Sequence, residues 1–203
     1  MKLLPILKSL ISPRLRHIAK RGKCRLEGVP KAFQKIVIEG RGSICFGAGV
    51  SFGWERSPKF KTSYAYIDAR NRQSRIEIGE NTVFSNDAAI ISEWYQGGAG
   101  ITIGRNCVVG VGFRCYDSDF HPLHVADRND GSKVRMKPVR IGNDVFIGEN
   151  VICLKGSEIG DGSVIGAGSV VCGKFPPNSV IAGNPAKVIR TLGAKEVRCD
   201  QIS

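Results

Sequence analysis

The sequence predicts an all-β chain wound as a parallel β-helix, on three observations. From Ile141 to Pro176 it divides without a gap into six hexads: IGNDVF, IGENVI, CLKGSE, IGDGSV, IGAGSV and VCGKFP. The first positions are Ile141, Ile147, Cys153, Ile159, Ile165 and Val171, and four of them are followed by glycine, at Gly142, Gly148, Gly160 and Gly166. The fifth position is small or β-branched in five of the six: Val145, Val151, Ser157, Ser163 and Ser169. A period of six fits neither helical spacing nor simple strand alternation. Each glycine would also cost a helix roughly 1 kcal/mol relative to alanine. In a parallel β-helix each hexad is one short flat face plus a corner. The aliphatic residue points into the prism, glycine accepts the corner's backbone angles, and the small fifth residue fills the tapering interior. Three hexads close one triangular coil, and coils stack at about the 4.8 Å strand spacing. One coil cannot bury its own interior, so stability comes from stacking several.

Composition agrees. The chain has 203 residues, 25 of them glycine, and 7% aromatic residues, which suits a narrow interior of Ile, Val, Ala and Ser. Its seven cysteines are odd in number and form no C-x-x-C pair, so they read as small reduced thiols. The net charge is +12, yet it is concentrated. Residues 1–35 hold ten Lys/Arg against Glu27 alone, a balance of +9 that leaves +3 for the rest. No aromatic-basic interleaving accompanies it, which argues against nucleic acid.

The chain divides into a basic segment over 1–35, a β-helix over 36–192 and a polar tail over 193–203. In the first, Leu3, Leu4, Ile6, Leu7, Leu10 and Ile11 form an apolar cluster closed by Pro13. It is too short and too charged to span a bilayer and lacks the features of a signal peptide. A short helix capping the prism is expected here. With Arg14, Arg16, Lys20, Arg21, Lys23 and Arg25 behind it, peripheral contact with anionic lipid is the second reading. Weak hexads begin at Phe46 and Phe52, and the register is lost between Trp54 and Arg75. The pattern restarts at Ile78 and Phe84, breaks at Glu93–Gly100 and resumes at Ile103, Val109 and Cys115. The next coil should begin at 121, but the next clear hexad begins at Ile141. Residues 121–140, HPLHVADRNDGSKVRMKPVR, are therefore an extended loop leaving a corner. Long excursions from a regular scaffold are usually functional or disordered.

The hexads, followed by Phe175-Pro-Pro-Asn-Ser-Val-Ile-Ala-Gly-Asn-Pro-Ala-Lys-Val-Ile-Arg190, resemble the hexapeptide-repeat acyltransferases. The resemblance covers about Phe46 to Arg190 and is nearest to the branch that acetylates hydroxyls of sugars and polysaccharides. It implies a left-handed β-helix, an exception to the right-handed crossover rule, and a homotrimer with active sites between subunits.

The resemblance also implies roles for residues. His121, in Asp117-Ser-Asp-Phe-His121-Pro122, stands where the family has its general base, with His124 as second choice. A sugar hydroxyl is a poor nucleophile at neutral pH, and a neutral imidazole can take its proton as it attacks a thioester carbonyl. Asp119 matches an acid that orients the imidazole or contacts the acceptor. Asn86, Trp94, Tyr95, Tyr116, Asp117 and His124 are acceptor-side candidates. For acetyl-CoA, Gly148 and Glu149 match the thioester end and Ala167 the pantetheine contact. The family's usual Thr-Lys is here Cys172-Gly173, with Lys174 one place later, a departure. Lys187 and Arg190 match cations that reach the coenzyme's phosphates. No metal is expected: His17, His121 and His124 are the only histidines, and His17 precedes the repeats, so a three-histidine site is disfavoured. The expected activity is acetyl-CoA-dependent O-acetylation of a surface polysaccharide or its lipid-linked precursor, in the cytoplasm or at the inner membrane face. N-acetylation of an amino sugar or nucleotide sugar is the alternative, and a non-catalytic scaffold the remaining one.

Overall fold

The computed structural model describes residues 17–193. They form a triangular prism of three sheets. The first sheet takes Ile18–Lys20, Ile36–Gly40, Ala65–Ala69, Ala89–Ser92, Arg114–Tyr116, Ile152–Cys153 and Val170–Val171. The second runs from Arg25–Glu27 through Arg75–Ile78, Ile101–Ile103 and Val139–Ile141 to Lys174–Phe175. The third runs from Lys31–Ala32 through Val83–Phe84, Val108–Val109 and Phe146–Ile147 to Ser179–Gly183. Each chain turn visits the three sheets once, and neighbouring strands pair in parallel until Ala186–Thr191 folds back antiparallel on Ser179–Gly183.

The hexad residues do as their chemistry requires. Ile141, Ile147, Cys153, Ile159, Ile165 and Val171 are all buried. So are Val145, Val151, Ser157, Ser163 and Ser169. A buried hydroxyl must find a partner. Ser157 Oγ bonds the Leu154 and Val171 carbonyls at 2.6 and 2.9 Å, and Ser169 Oγ the Gly166 carbonyl at 2.6 Å. Toward the N-terminus the interior is filled by Phe46, Phe52, Phe84 and Phe113, with Phe52 stacked on Phe84 at 4.5 Å.

Three expectations are corrected. First, the hexad glycines do not supply the corner's backbone angles. The left-handed conformation falls on the fourth position instead, at Asp144, Asn150, Gly156, Gly162 and Gly168 (φ 57, 55, 76, 67 and 71°). The second-position glycines are needed for clearance. A Cβ on Gly160 would sit 2.3 Å from Pro177 N, and one on Gly148 2.7 Å from Ala167 N in the next coil. Second, the β-helix does not begin at 36, because strands at Ile18–Lys20, Arg25–Glu27 and Lys31–Ala32 already pair into its sheets. The predicted helix over Leu3–Ile11 and the tail from Ala194 lie outside the described residues. Third, Trp54–Arg75 is not irregular throughout: Ala65–Ala69 is a regular strand, and a loop over 53–64 precedes it.

The third sheet carries an apolar ladder outward. Val83, Val108, Phe146 and Val164 stand in register on successive strands. The first three are 37, 49 and 50% exposed. No described helix is long and apolar enough to cross a membrane.

Candidate active site

Two excursions, 93–100 and 117–138, leave successive coils at the same edge, between the first and second sheets. Asp117 joins them at the root. It is fully buried and accepts from Ser92 Oγ at 2.5 Å, Glu93 N at 2.8 Å and Trp94 N at 3.3 Å. Burial pushes its carboxyl above the ordinary range, and those bonds pull it back in part. Gly100 has no side chain for the same reason: its Cβ would lie 2.2 Å from Asp117 Oδ2. The long loop then pairs with itself. Ser118 bridges Met136 antiparallel, and Asp119 N donates to the Arg135 carbonyl at 3.1 Å. Phe120 takes a left-handed conformation (φ 60°) and His121 N donates to the Asp119 carbonyl at 2.7 Å. This tight turn presents His121 on the exposed side of the edge, its imidazole without a hydrogen-bond partner among the described residues.

Side chains that sequence reasoning missed brace this turn. Arg70 lies over the Phe120 ring, 5.0 Å from its centre. The same guanidinium bonds Asp68 at 3.0 Å and Glu93 at 2.9 Å. Glu93 in turn accepts from Ser118 Oγ at 2.6 Å. Tyr116 meets Phe120 edge-on at 5.6 Å. Lys155 bonds Asp119 Oδ1 at 2.5 Å, while Asp119 Oδ2 is buried without a partner. Lys155 belongs to CLKGSE, the first of the six hexads to lack the Ile-Gly start, and that departure was its signal. Arg70 and Glu93 left no periodic signal, since coil stacking alone brings them together.

Several predicted roles change here. Asp119 bonds Lys155 and makes no bond to the His121 imidazole. Asp117 is a buried tether and offers no surface to an acceptor. Asn86 is also fully buried, at the edge between the third and first sheets. Its Oδ1 accepts from Trp54 N at 3.0 Å, and its Nδ2 reaches the Trp54, Ser57 and Pro58 carbonyls at 3.0, 3.0 and 2.8 Å. It holds the 53–64 loop against the prism and has no group left for a ligand. Trp94 is half-buried with Nε1 bonded to the Gly97 carbonyl at 2.7 Å, Tyr95 is exposed, and His124 is exposed before a short 3-10 turn.

The coenzyme-side candidates separate into groups. Gly148, Glu149 and Ala167 lie at the edge between the third and first sheets, across the first sheet from His121. From Glu149 to Lys155 the chain crosses that face in six residues, a contour of at most about 20 Å at 3.3 Å each. Among the described residues the backbone N–H groups of Glu149 and Ala167 have no acceptor. Lys187 and Arg190 are exposed on the final strand without an ion pair among the described residues. Cys172 and Gly173 lie instead on the edge of His121, and Lys174, on the second sheet, pairs with Glu158 at 2.9 Å. Unpaired N–H donors beside unpaired cations suit an acyl carrier with an amide arm and phosphates. No group of three His, Cys, Asp or Glu side chains that could hold a metal occurs among the described residues.

The repeat described as bacterial transferase hexapeptide (six repeats) matches residues 138–173. The chain carries the hexapeptide repeat of the acyltransferases that it resembles. It is 37% identical over 123 residues to galactoside O-acetyltransferase of Escherichia coli, covering 61% of this chain and 57% of that one. The match thus spans little more than half of that relative's length. Among solved structures it resembles a hexapeptide-repeat acetyltransferase from Vibrio cholerae, with a TM-score of 0.55, 28% identity and 73% of each chain covered. It also resembles a galactoside acetyltransferase in complex with coenzyme A, with a TM-score of 0.53, 32% identity, and 72% of this chain and 66% of that one covered. The prism matches the left-handed parallel β-helix of these hexapeptide-repeat acetyltransferase structures.

Proposed function

We propose that the chain is an acetyl-CoA-dependent O-acetyltransferase acting on a sugar hydroxyl, with His121 as general base. The observation that carries this reading is the braced turn that presents an exposed imidazole, unpartnered among the described residues, at the edge from which both excursions leave. The solved galactoside acetyltransferase with coenzyme A supports the donor. His121 accepts the proton of the hydroxyl as its oxygen attacks the thioester carbonyl, and returns it to the departing sulfur. No acyl-enzyme is required. The free N–H groups of Glu149 and Ala167 are the donors suited to the charge that builds on the carbonyl oxygen. Lys187 and Arg190 are the cations suited to the coenzyme's phosphates.

Those donors and His121 occupy different edges of one chain, on opposite sides of the first sheet. One prism therefore does not assemble the whole site, and the reading requires the edge of one subunit to face the other edge of the next. The apolar ladder of Val83, Val108 and Phe146 is the surface that favours a homotrimer. Coenzyme A release from acetyl-CoA would be measured against a panel of sugars and glycan precursors, with His121→Ala in parallel. Turnover on one acceptor that disappears in a folded His121→Ala protein is the expected result. Failure to bind acetyl-CoA at all would remove the reading in favour of a scaffold.

A further inference from the structure

Among the described residues, eight that are not glycine adopt a positive φ. Six of them are Asn or Asp, the types that tolerate the left-handed region best. Phe120, at φ 60°, is the only aromatic one, and it stands directly before His121. A bulky side chain in this conformation is strained and persists only where its surroundings over-determine it. Relaxing Phe120 to a negative φ would turn the following peptide and carry His121 away from its present side of the edge.

A closed circuit of contacts opposes that relaxation. Phe120 N donates to Ser118 Oγ at 2.9 Å, and that hydroxyl donates on to Glu93 Oε2 at 2.6 Å. Glu93 Oε1 accepts from Arg70 Nη1 at 2.9 Å, and the Arg70 guanidinium lies over the Phe120 ring, 5.0 Å from its centre. The circuit starts on the Phe120 backbone and ends on the Phe120 ring, so the main chain and the side chain are held together. Its members are also fixed from outside. Asp68, with a side chain only 6% exposed, accepts from Arg70 Nε at 3.0 Å. Glu93 N donates to Asp117 Oδ1 at 2.8 Å, and the Glu93 carbonyl accepts from Asn71 Nδ2 at 2.8 Å. Arg70 and Glu93 each follow a strand by one residue, Ala65–Ala69 and Ala89–Ser92, and contribute nothing to the apolar interior.

We propose that Arg70 is a positioning residue for His121, holding through Glu93, Ser118 and Phe120 the strained turn that aims the imidazole at the acceptor. Its kinetic consequence rests on the activity proposed above, and its structural consequence is read apart from turnover. Arg70→Met in the full chain should lower kcat about tenfold or more while the KM for acetyl-CoA stays within about twofold, because small misplacements of a reacting group are costly. Phe120 supplies a test of sign. Phe120→Ala loses the ring and keeps the strain, whereas Phe120→Gly loses the ring and adopts the angle freely, so the glycine variant should be about threefold or more the faster of the two. In the Phe120→Gly background Arg70→Met should cost less than about threefold, since no strain is left to oppose. A merely structural Arg70 would cost the same in both backgrounds. Equal losses there, or an alanine variant as fast as the glycine one, would overturn the proposal. The alanine and glycine pair keeps the Asp68–Arg70 bond, so it decides the matter even if Arg70→Met fails to fold. The chain has three histidines, and isotope labelling of their rings gives a nuclear magnetic resonance readout in which His121→Gln identifies the His121 signal. Arg70→Met should broaden or split that signal and leave the His17 signal in place; a sharp, unmoved His121 signal would refute the clamp. If the signal responds as expected while no acceptor is acetylated, the clamp stands and the transferase reading falls.

Discussion

Replacing Asn86 with alanine separates an anchor from an acceptor contact. The side chain is fully buried, and its bonds all run to the 53–64 loop at 2.8–3.0 Å. An amide has two N–H donors, so two of the three carbonyls are satisfied at once, in addition to the bond from Trp54 N. Three neutral hydrogen bonds at a net value of about 1 kcal/mol each place the loss near 3 kcal/mol. For a chain of 203 residues, at about 2–4 °C per kcal/mol, that is a fall of about 6–12 °C in Tm. A solenoid can also shed one loop without melting. Limited trypsin digestion reads that case, because Arg56, Lys59 and Lys61 are exposed in the loop and cleavage there should accelerate. Asn86→Asp should be at least as damaging, since it turns a carboxylate toward three carbonyl oxygens. The acetyl-transfer KM for acceptor should stay within about twofold at temperatures where the variant is folded. An unchanged Tm and digestion pattern with a tenfold higher acceptor KM would refute the anchor and return Asn86 to the substrate side.

Phe146→Glu places a charge in the middle of the outward ladder of the third sheet, and sedimentation should show the proposed homotrimer falling to single chains with activity lost at least tenfold. Lys155→Met should lower kcat/KM about tenfold by releasing Asp119 under the His121 turn, with KM for acetyl-CoA and Tm nearly unchanged; Lys155→Arg should recover most of the loss, which a purely structural role would not require. Gly160→Ala forces a methyl to 2.3 Å from Pro177 N and should destabilise the chain by about 1–3 kcal/mol in chemical denaturation. Asp87 supplies a pH test. Burial pushes its carboxyl up, but bonds from Lys59 and Arg114 outweigh it and hold it below the ordinary value of 3.8. A lowered carboxyl contributes stability that is present above 3.8 and is lost as pH falls through the folded value. Asp87→Asn should therefore lower stability by about 1 kcal/mol at pH 7, and the gap to the parent should close in acid melts below 3.8; a gap constant with pH would contradict the pairing.

The repeat was legible in the sequence because a prism interior imposes a strict rule on each face. Ile147, Ser163 and Ile165 have nowhere to point but inward, so their types recur at fixed spacing and the fold can be read from the spacing alone. The same rule exposed the excursions, since Glu93–Gly100 and the stretch after Cys115 are the places where it fails. His121 was legible through its motif and its position at such a failure. The corner glycines were found for the wrong reason. Their absent Cβ answers to the coil above, and a single coil's sequence contains no trace of that clearance.

What the sequence determined by itself was therefore periodic: the fold class, the inward residues and the points where loops depart. What the tertiary structure decided was which edge each departure occupies, and hence which distant residues meet. Stacking brought Arg70, Glu93 and Ser118 to Phe120, and Lys155 to Asp119. It also buried Asn86 and Asp117, which read as polar surface residues in the chain. The physical reason is that hexad spacing fixes a residue's face and depth within its own coil. Contacts between coils depend on the lengths and paths of the excursions, which follow no period.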